Sequence, residues 1–348
     1  MKKYLVVLLL VMALAIPSAA LAQVRIGVAM PTQSLQRWNQ DGANMKMMLE
    51  AAGYVVDLQY ANNDVALQVA QIENMILNGA DILVISAIDG SSLGTVLAIA
   101  KEEGIPVIAY DRLIMETDAV SYYATFDNYK VGQLQGEYLV QALGLETLEG
   151  SVNMEIVAGS PDDNNARYFY QGAIDVLMPY IESGKVRVPS GQIAFEAVAT
   201  LAWSSERAQA RMDNLIASNY SDGTPLHAVL CSNDSTALGV TNSLVGAGFE
   251  KMPYITGQDC DIANTKNIIA GLQSMSIFKD TRTLAARVVQ MIESIVKGEE
   301  PEVNDTTTYF NGVFVVPTYL CTPVFADINN YKELLIDSGY YTPEQLGL

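Results

Sequence analysis

The chain has 348 residues, half of them hydrophobic, with 20 Lys and Arg against 39 Asp and Glu and one histidine, a net charge of −19 at pH 7. That excess of acid repels polyanions and anionic bilayers, which argues against nucleic acid and acidic membrane surfaces as partners. Three cysteines, Cys231, Cys260 and Cys321, are too few and too scattered for a disulfide framework or a zinc pattern. They read as small buried residues; a Cys231–Cys260 bridge stays open, because both sit near strand ends.

Residues 1–22 read as a secretory signal: Lys2 and Lys3, an apolar stretch over 5–16 and a small-residue cleavage site at Ala20-Leu21-Ala22. The apolar stretch is too short to span a bilayer. Its removal leaves 326 residues, takes two lysines and no acid, and moves the net charge to −21. A chain of that length exceeds what one hydrophobic core supports, so two domains are expected.

The apolar strand Ile26-Gly27-Val28-Ala29-Met30 leads to Arg37-Trp38. Met45, Met48, Leu49 and Ala52 then share a helical face closed by Gly53. A strand over 55–60 follows, and Asp64 can cap a helix whose Val65, Val69, Ile72 and Ile76 align before Gly79. Next come a strand over 82–86 leading to Asp89, a helix over 93–103, and Val107-Ile108-Ala109-Tyr110 running into Asp111-Arg112. A strand over 120–124 and a helix over 131–143 lead into a second unit with the same rhythm. Its strands are predicted at 152–157, 192–196, 228–231 and 254–257, and its helices at 167–184, 205–219 and 235–248. Strands alternating with helices of this length predict parallel sheets covered on both faces. No Pro/Gly/Ser-rich linker divides the halves, so ordered crossings with limited hinge motion are expected.

Again and again an apolar run stops and amides, carboxylates or a guanidinium follow. In parallel α/β sheets ligands bind in the crevice outside the carboxyl ends of the strands, so these groups can converge on one hydroxyl-rich molecule. Asp111 accepts from hydroxyls and Arg112 offers a rigid fork of donors. Trp38 and Trp203 lie in polar loops, one in each half, where an indole face can pack on the C–H face of a pyranose.

Other chemistries find less support. Asp162-Asp163-Asn164-Asn165 fails as a calcium loop at Ala166, and no glutamate closes it. Neighbouring aspartates are badly placed to flank a glycosidic bond; a glycosidase would need a pair such as Asp111 with Asp259. His227, the only histidine, precedes a strand and reads as structural, since the chain lacks a G-x-S-x-G elbow. Without G-x-G-x-x-G or a Walker A motif, nucleotide binding is unsupported.

Met30-Pro31-Thr32 with Arg37-Trp38, Val107 to Ile114, Gly159-Ser160-Pro161-Asp162-Asp163-Asn164-Asn165-Ala166, Gly257-Gln258-Asp259 and Ile277-Phe278-Lys279-Asp280-Thr281-Arg282 together resemble the sugar-binding periplasmic proteins of the ribose/galactose/xylose group. The chain is most similar to the multiple-sugar-binding, ChvE-type branch, with xylose-binding proteins next. The resemblance implies the α/β periplasmic binding protein type I fold: two Rossmann-like parallel-sheet lobes joined by a three-segment hinge. It places the N-terminal lobe at 24–131 and 278–312, and the C-terminal lobe at 132–277 and 313–348.

It further implies that Arg37, Trp38, Asp111, Arg112 and Lys279 face Asp163, Asn165, Trp203, Asn233 and Asp259 across a sugar, with Asp162 and Asp89 in reserve. No segment matches the calcium loop of the galactose-binding relatives, so no metal or other cofactor is carried over. Cys260 departs from the small residue expected after Asp259. The implied protein is not an enzyme: a periplasmic monomer captures an aldopentose or aldohexose pyranose by hinge closure, delivers it to the membrane subunits of an ABC importer, and can signal to a chemotaxis or sensor-kinase receptor. A furanosyl autoinducer or a cyclitol is the alternative ligand.

Overall fold

The computed structural model describes residues 23–348, so the predicted leader lies outside it. In chain order the strands are β1 (Arg25–Met30), β2 (Val55–Tyr60), β3 (Ile82–Ile85), β4 (Val107–Tyr110), β5 (Tyr122–Phe126), β6 (Val152–Val157), β7 (Val186–Arg187), β8 (Ala228–Cys231), β9 (Tyr254–Ile255), β10 (Met275–Phe278), β11 (Thr318–Cys321) and β12 (Val324–Asp327). They form two sheets. The first runs β11-β5-β4-β3-β1-β2 with every pair parallel. The second runs β7-β6-β8-β9, also parallel, and continues through a Gln258–Ile277 bridge into the antiparallel pair β10-β12.

Continuous burial along β3 and β4 marks strands covered on both faces, as their unbroken apolar sequences require. On one side of the first sheet, Met45 and Leu49 of the helix Gln36–Ala51 pack with Leu284 and Val288 of the helix Thr281–Lys297. On the other lie Ile72 and Met75 of Val65–Leu77 with Val96 and Leu97 of Gly94–Glu102. The second sheet is covered by Asn128–Ala142 and Asn164–Glu182 on one side and by Ser205–Asn219 and Asp234–Gly246 on the other. The first of these pairs meets almost backbone to backbone: a Cβ on Gly132 would lie 2.0 Å from the Phe169 carbonyl oxygen.

The chain crosses between the lobes after β5, again at Lys279-Asp280, and a third time between β11 and β12. That third crossing corrects the predicted boundary at 313. β11 pairs with β5, and Cys321 packs in the first lobe's core, so the first lobe keeps the chain through Cys321. A four-residue edge strand is too short to announce itself by periodicity.

The strand predicted over 192–196 is a loop leading into a short helix, Phe195–Val198. Glu155 explains the change, because its carboxylate accepts from the Ser190 backbone N–H at 3.1 Å and from its hydroxyl at 2.6 Å, diverting the chain just after β7. Phe195 then packs edge-on against Tyr170. The cysteines are buried as expected, but all three are free. Cys231 and Cys260 pack in separate apolar clusters, and the bridge that the sequence left open is not formed. His227 has a structural contact, its Nδ1 accepting from the Asn153 backbone N–H at 2.9 Å. Among the described residues no helix is long and apolar enough to cross a membrane.

Candidate binding site

The site is built on strand ends. Past β4 the chain turns sharply: the Arg112 N–H reaches the Tyr110 carbonyl at 2.6 Å, and Asp111 takes a left-handed φ of 59°. Such a backbone costs a non-glycine residue about 1–2 kcal/mol and persists only where its surroundings over-determine it. Here they do. The Asp111 carbonyl accepts from the Tyr123 hydroxyl (2.6 Å), the Thr125 hydroxyl (2.9 Å) and the Asn165 side-chain amide (2.6 Å). Asn165 belongs to the second lobe, so one bond both holds the turn and ties the lobes together. Trp203 and Asp259 also have positive φ, at 55° and 100°.

Arg37, in the first turn of its helix, lies at the centre of an ion network. Its Nη2 is 3.0 Å from Asp41 and 2.9 Å from Asp111, and its Nη1 is 3.3 Å from Asp259 of the opposite lobe. The Lys279 ammonium lies 3.3 Å from Asp259 and 3.7 Å from Asp111. Arg112 crosses the cleft to Asp163 at 3.0 Å and donates to the Ala87 carbonyl at 3.1 Å. All these side chains are buried. Burial alone would raise the Asp111 carboxyl, but Arg37, Lys279 and Arg112 together hold it below its ordinary range. Burial wins over Arg112 at Asp163 and lifts that carboxyl. For Arg37 the desolvation of burial is outweighed by Asp111, Asp41 and Asp259, which keep it firmly charged.

The two tryptophans sit on opposite walls. Trp38 lies beneath the guanidiniums of Arg37 and Arg112, 4.4 and 5.1 Å from its ring centroid, so it carries the cations as well as facing the cleft. Trp203 ends a one-turn helix ahead of Ser204, which caps the helix Ser205–Asn219. Its indole N–H donates to Asp163 at 3.3 Å, and its ring meets Phe169 edge-on at 6.1 Å. Asn233 caps Asp234–Gly246 through its side-chain oxygen and also borders the cleft.

Together these groups line one narrow polar space between the lobes, part of it open to solvent. Every residue predicted for the site except Asn165 lines it; Asn165 stands behind it, on the Asp111 carbonyl. The reserves Asp89 and Asp162 lie outside the lining, at a rim contact where the Gly90 N–H meets the Asp162 carbonyl at 3.4 Å. Leu35, Phe169 and Gln258 also line the space. Gln258 could have been chosen from its strand-end position beside Asp259; Leu35 and Phe169 carry no polar signal. Among the described residues no cluster of three or more His, Cys, Asp or Glu is arranged to hold a metal.

Two parallel-sheet lobes, three crossings and a buried polar cleft between strand ends define a two-lobed solute receptor. The chain belongs to the periplasmic binding protein domain family, whose model matches residues 26–300. It is 50% identical, over 95% of its own length and 94% of the relative's, to the multiple sugar-binding periplasmic receptor ChvE of Rhizobium radiobacter. It is 37% identical to the D-xylose-binding periplasmic protein of Escherichia coli, over 93% of each chain. Among solved structures, an ABC transporter solute-binding protein from Clostridium phytofermentans with bound β-D-glucose superposes with a TM-score of 0.91 at 66% identity, covering 92% of this chain and 99% of that one.

Proposed function

We propose that this protein is a periplasmic receptor that captures a neutral monosaccharide pyranose, an aldopentose or aldohexose, between its lobes and presents it to the membrane subunits of an ABC importer. The observation that carries the reading is the cleft itself, where carboxylates, guanidiniums and indoles from both lobes converge on one space. Each sugar hydroxyl both donates and accepts, so it can insert between a carboxylate and a cation without leaving either unpaired. Kinship with the multiple sugar-binding receptor and with the glucose-bound solute-binding protein supports the same ligand class.

The receptor binds without chemical conversion. The first lobe offers Asp111, Arg112 and Lys279; closure adds Asp163, Trp203, Asn233 and Asp259. A ligand favours closure only by the contacts that the closed form alone supplies. Driving the hinge from 1:99 to 99:1 takes about 5.5 kcal/mol of such differential contact. Two or three charge-assisted hydrogen bonds of about 1.5–3 kcal/mol each supply that. The closed outer surface is what importer subunits, or a chemotaxis or sensor-kinase receptor, would read. Residues 1–22 would direct a monomeric receptor to the periplasm.

Native mass spectrometry of freshly purified protein, followed by calorimetric titration with D-glucose, D-xylose, D-galactose, L-arabinose and myo-inositol, tests the proposal. It predicts a stoichiometry of one with at least one aldose. Binding of myo-inositol alone, or conversion of a sugar or an aryl glycoside, would overturn it.

A further inference from the structure

Arg37 is one of the cations that pair with carboxylates of both lobes, and its guanidinium has little freedom. Asp41, one helical turn on and fully buried, accepts from Arg37 Nε at 3.1 Å and from Nη2 at 3.0 Å through the same Oδ2. Its other oxygen accepts from the Tyr110 hydroxyl, and Tyr110 is itself wholly buried at the end of β4, next to Asp111. Arg37 is left with Nη1 directed at Asp259 and a second Nη2 contact to Asp111. Asp41 does not line the cleft.

We propose that Asp41, oriented by Tyr110, is a positioning residue that sets the plane of the Arg37 guanidinium and so determines how well both lobes grip the sugar. The assignment rests on the sugar-binding reading above. A single carboxylate oxygen engaging Nε and Nη2 fixes the fork of donors, and the strand-end tyrosine fixes the carboxylate. A helix would otherwise leave an arginine in its first turn several rotamers, each aiming Nη1 somewhere else.

The device is sensitive to pH. Burial, with Asp111 nearby, pushes the Asp41 carboxyl up to about 6 against the opposing pull of Arg37 and the Tyr110 hydrogen bond. The charged and titratable groups around it are Arg37 on its own helix, Tyr110 and Asp111 at the end of β4, Tyr60 on β2 and Tyr340 near the C-terminus. The tyrosines stay neutral in this range, because burial raises all three. Protonating Asp41 exchanges an ion pair for a weaker contact between the guanidinium and a neutral carboxyl and loosens Arg37, so affinity falls as the medium becomes acidic.

The experiment uses the full mature protein and D-glucose as probe, from pH 4.5 to 8. Calorimetric affinity is followed beside the tryptophan fluorescence of a Trp203→Phe background without sugar, which leaves Trp38 and its Arg37 contact as the source of the signal. Wild type should lose affinity about tenfold across a step near pH 6, the fluorescence moving with it. Asp41→Asn should bind about tenfold more weakly at neutral pH and show no step in either signal. In Tyr110→Phe, loss of a hydrogen bond to the ionised carboxylate should move the step to higher pH, a displacement that a general packing defect would not produce. Asp261→Asn, which removes another raised carboxyl outside the site, should keep the step; its thermal unfolding and that of Asp41→Asn confirm folding.

Equal affinity and pH profile in wild type and Asp41→Asn overturn the proposal, as does a step that vanishes in Asp261→Asn and survives in Asp41→Asn. If wild type binds no aldose while the fluorescence of the Trp203→Phe background still shows the Asp41-dependent step, the sugar reading falls and the positioning of Arg37 stands.

Discussion

Gly159 supports the Trp203 indole, and its replacement by alanine tests the stacking wall without removing any group that could touch a ligand. A Cβ built at Gly159 would lie 2.0, 2.3 and 2.5 Å from Cη2, Cζ3 and Cζ2 of the ring. Carbon atoms rest about 3.5–4.0 Å apart, so the ring must retreat by roughly 1.5 Å. Phe169 stands edge-on at 6.1 Å and limits that retreat, and the Asp163 hydrogen bond, already 3.3 Å long, cannot follow it. Losing the fit of an anchor and a hydrogen bond to a carboxylate is worth about 1.5–3 kcal/mol, or roughly ten- to a hundredfold in affinity. Overpacking should cost a further 1–3 kcal/mol or about that in stability, at roughly 2–4 °C of Tm per kcal/mol for a protein of this size. Titration calorimetry with D-glucose and D-xylose, with thermal unfolding alongside, reads both effects. Gly94→Ala is the control, since a Cβ there meets nothing within 4 Å. Wild-type affinity in Gly159→Ala for every aldose tested would mean that Trp203 does not hold the ligand.

Two further outcomes follow from the ion network and its surroundings. Asp259→Asn removes the carboxylate that Arg37 and Lys279 share from the second lobe, so affinity should fall by at least about tenfold in calorimetric titration. Asp261, partly exposed beside that network, has its carboxyl pushed up to about 7 by burial and by Asp259, against Arg37 and Lys279. The folded protein therefore holds a proton there that the unfolded chain releases, and stability should decline as pH rises from about 4 to 7. Asp261→Asn should unfold at a higher temperature than wild type at pH 8 and at the same temperature at pH 4; an advantage that persists at pH 4 would show another cause.

What could be read from the sequence, and what could not, follows from how each feature is built. Parallel strands buried on both faces are apolar throughout, so β1, β3, β4, β6 and β8 stood out, and the polar residues after them stood out by contrast. The left-handed turns at Asp111 and Asp259 left no mark, because the strain is absorbed by tertiary partners such as Tyr123 and Asn165. Asp41 was invisible for a different reason. An acid four residues after an arginine resembles the ordinary exposed helical pair, and only burial under β4 and Tyr110 turns it into part of the network. Phe169 lies one turn beyond Asn165 on an amphipathic helix and reads as core, which it also is. β11 and the loop before Phe195 were misplaced because short edge elements owe their form to neighbours distant in sequence, β5 in one case and Glu155 in the other.

The network's charge balance bears on which sugars the cleft admits. Arg37, Arg112 and Lys279 supply three positive charges, and Asp41, Asp111, Asp163 and Asp259 supply four negative ones. Each cation already has a carboxylate within 3.3 Å, so none is left over for an anionic ligand. A neutral pyranose can share these pairs, whereas a sugar acid brings a further negative charge against a surplus of one. At an effective dielectric constant of about 20 and a separation of about 6 Å, that repulsion is roughly 3 kcal/mol, or a hundredfold in affinity. D-glucuronate should accordingly bind about a hundredfold more weakly than D-glucose at neutral pH. The gap should narrow below pH 6, where protonation of Asp41 removes the surplus charge. Equal affinities for the two sugars at pH 7.5 would show that the carboxylates do not set the sign of the cleft.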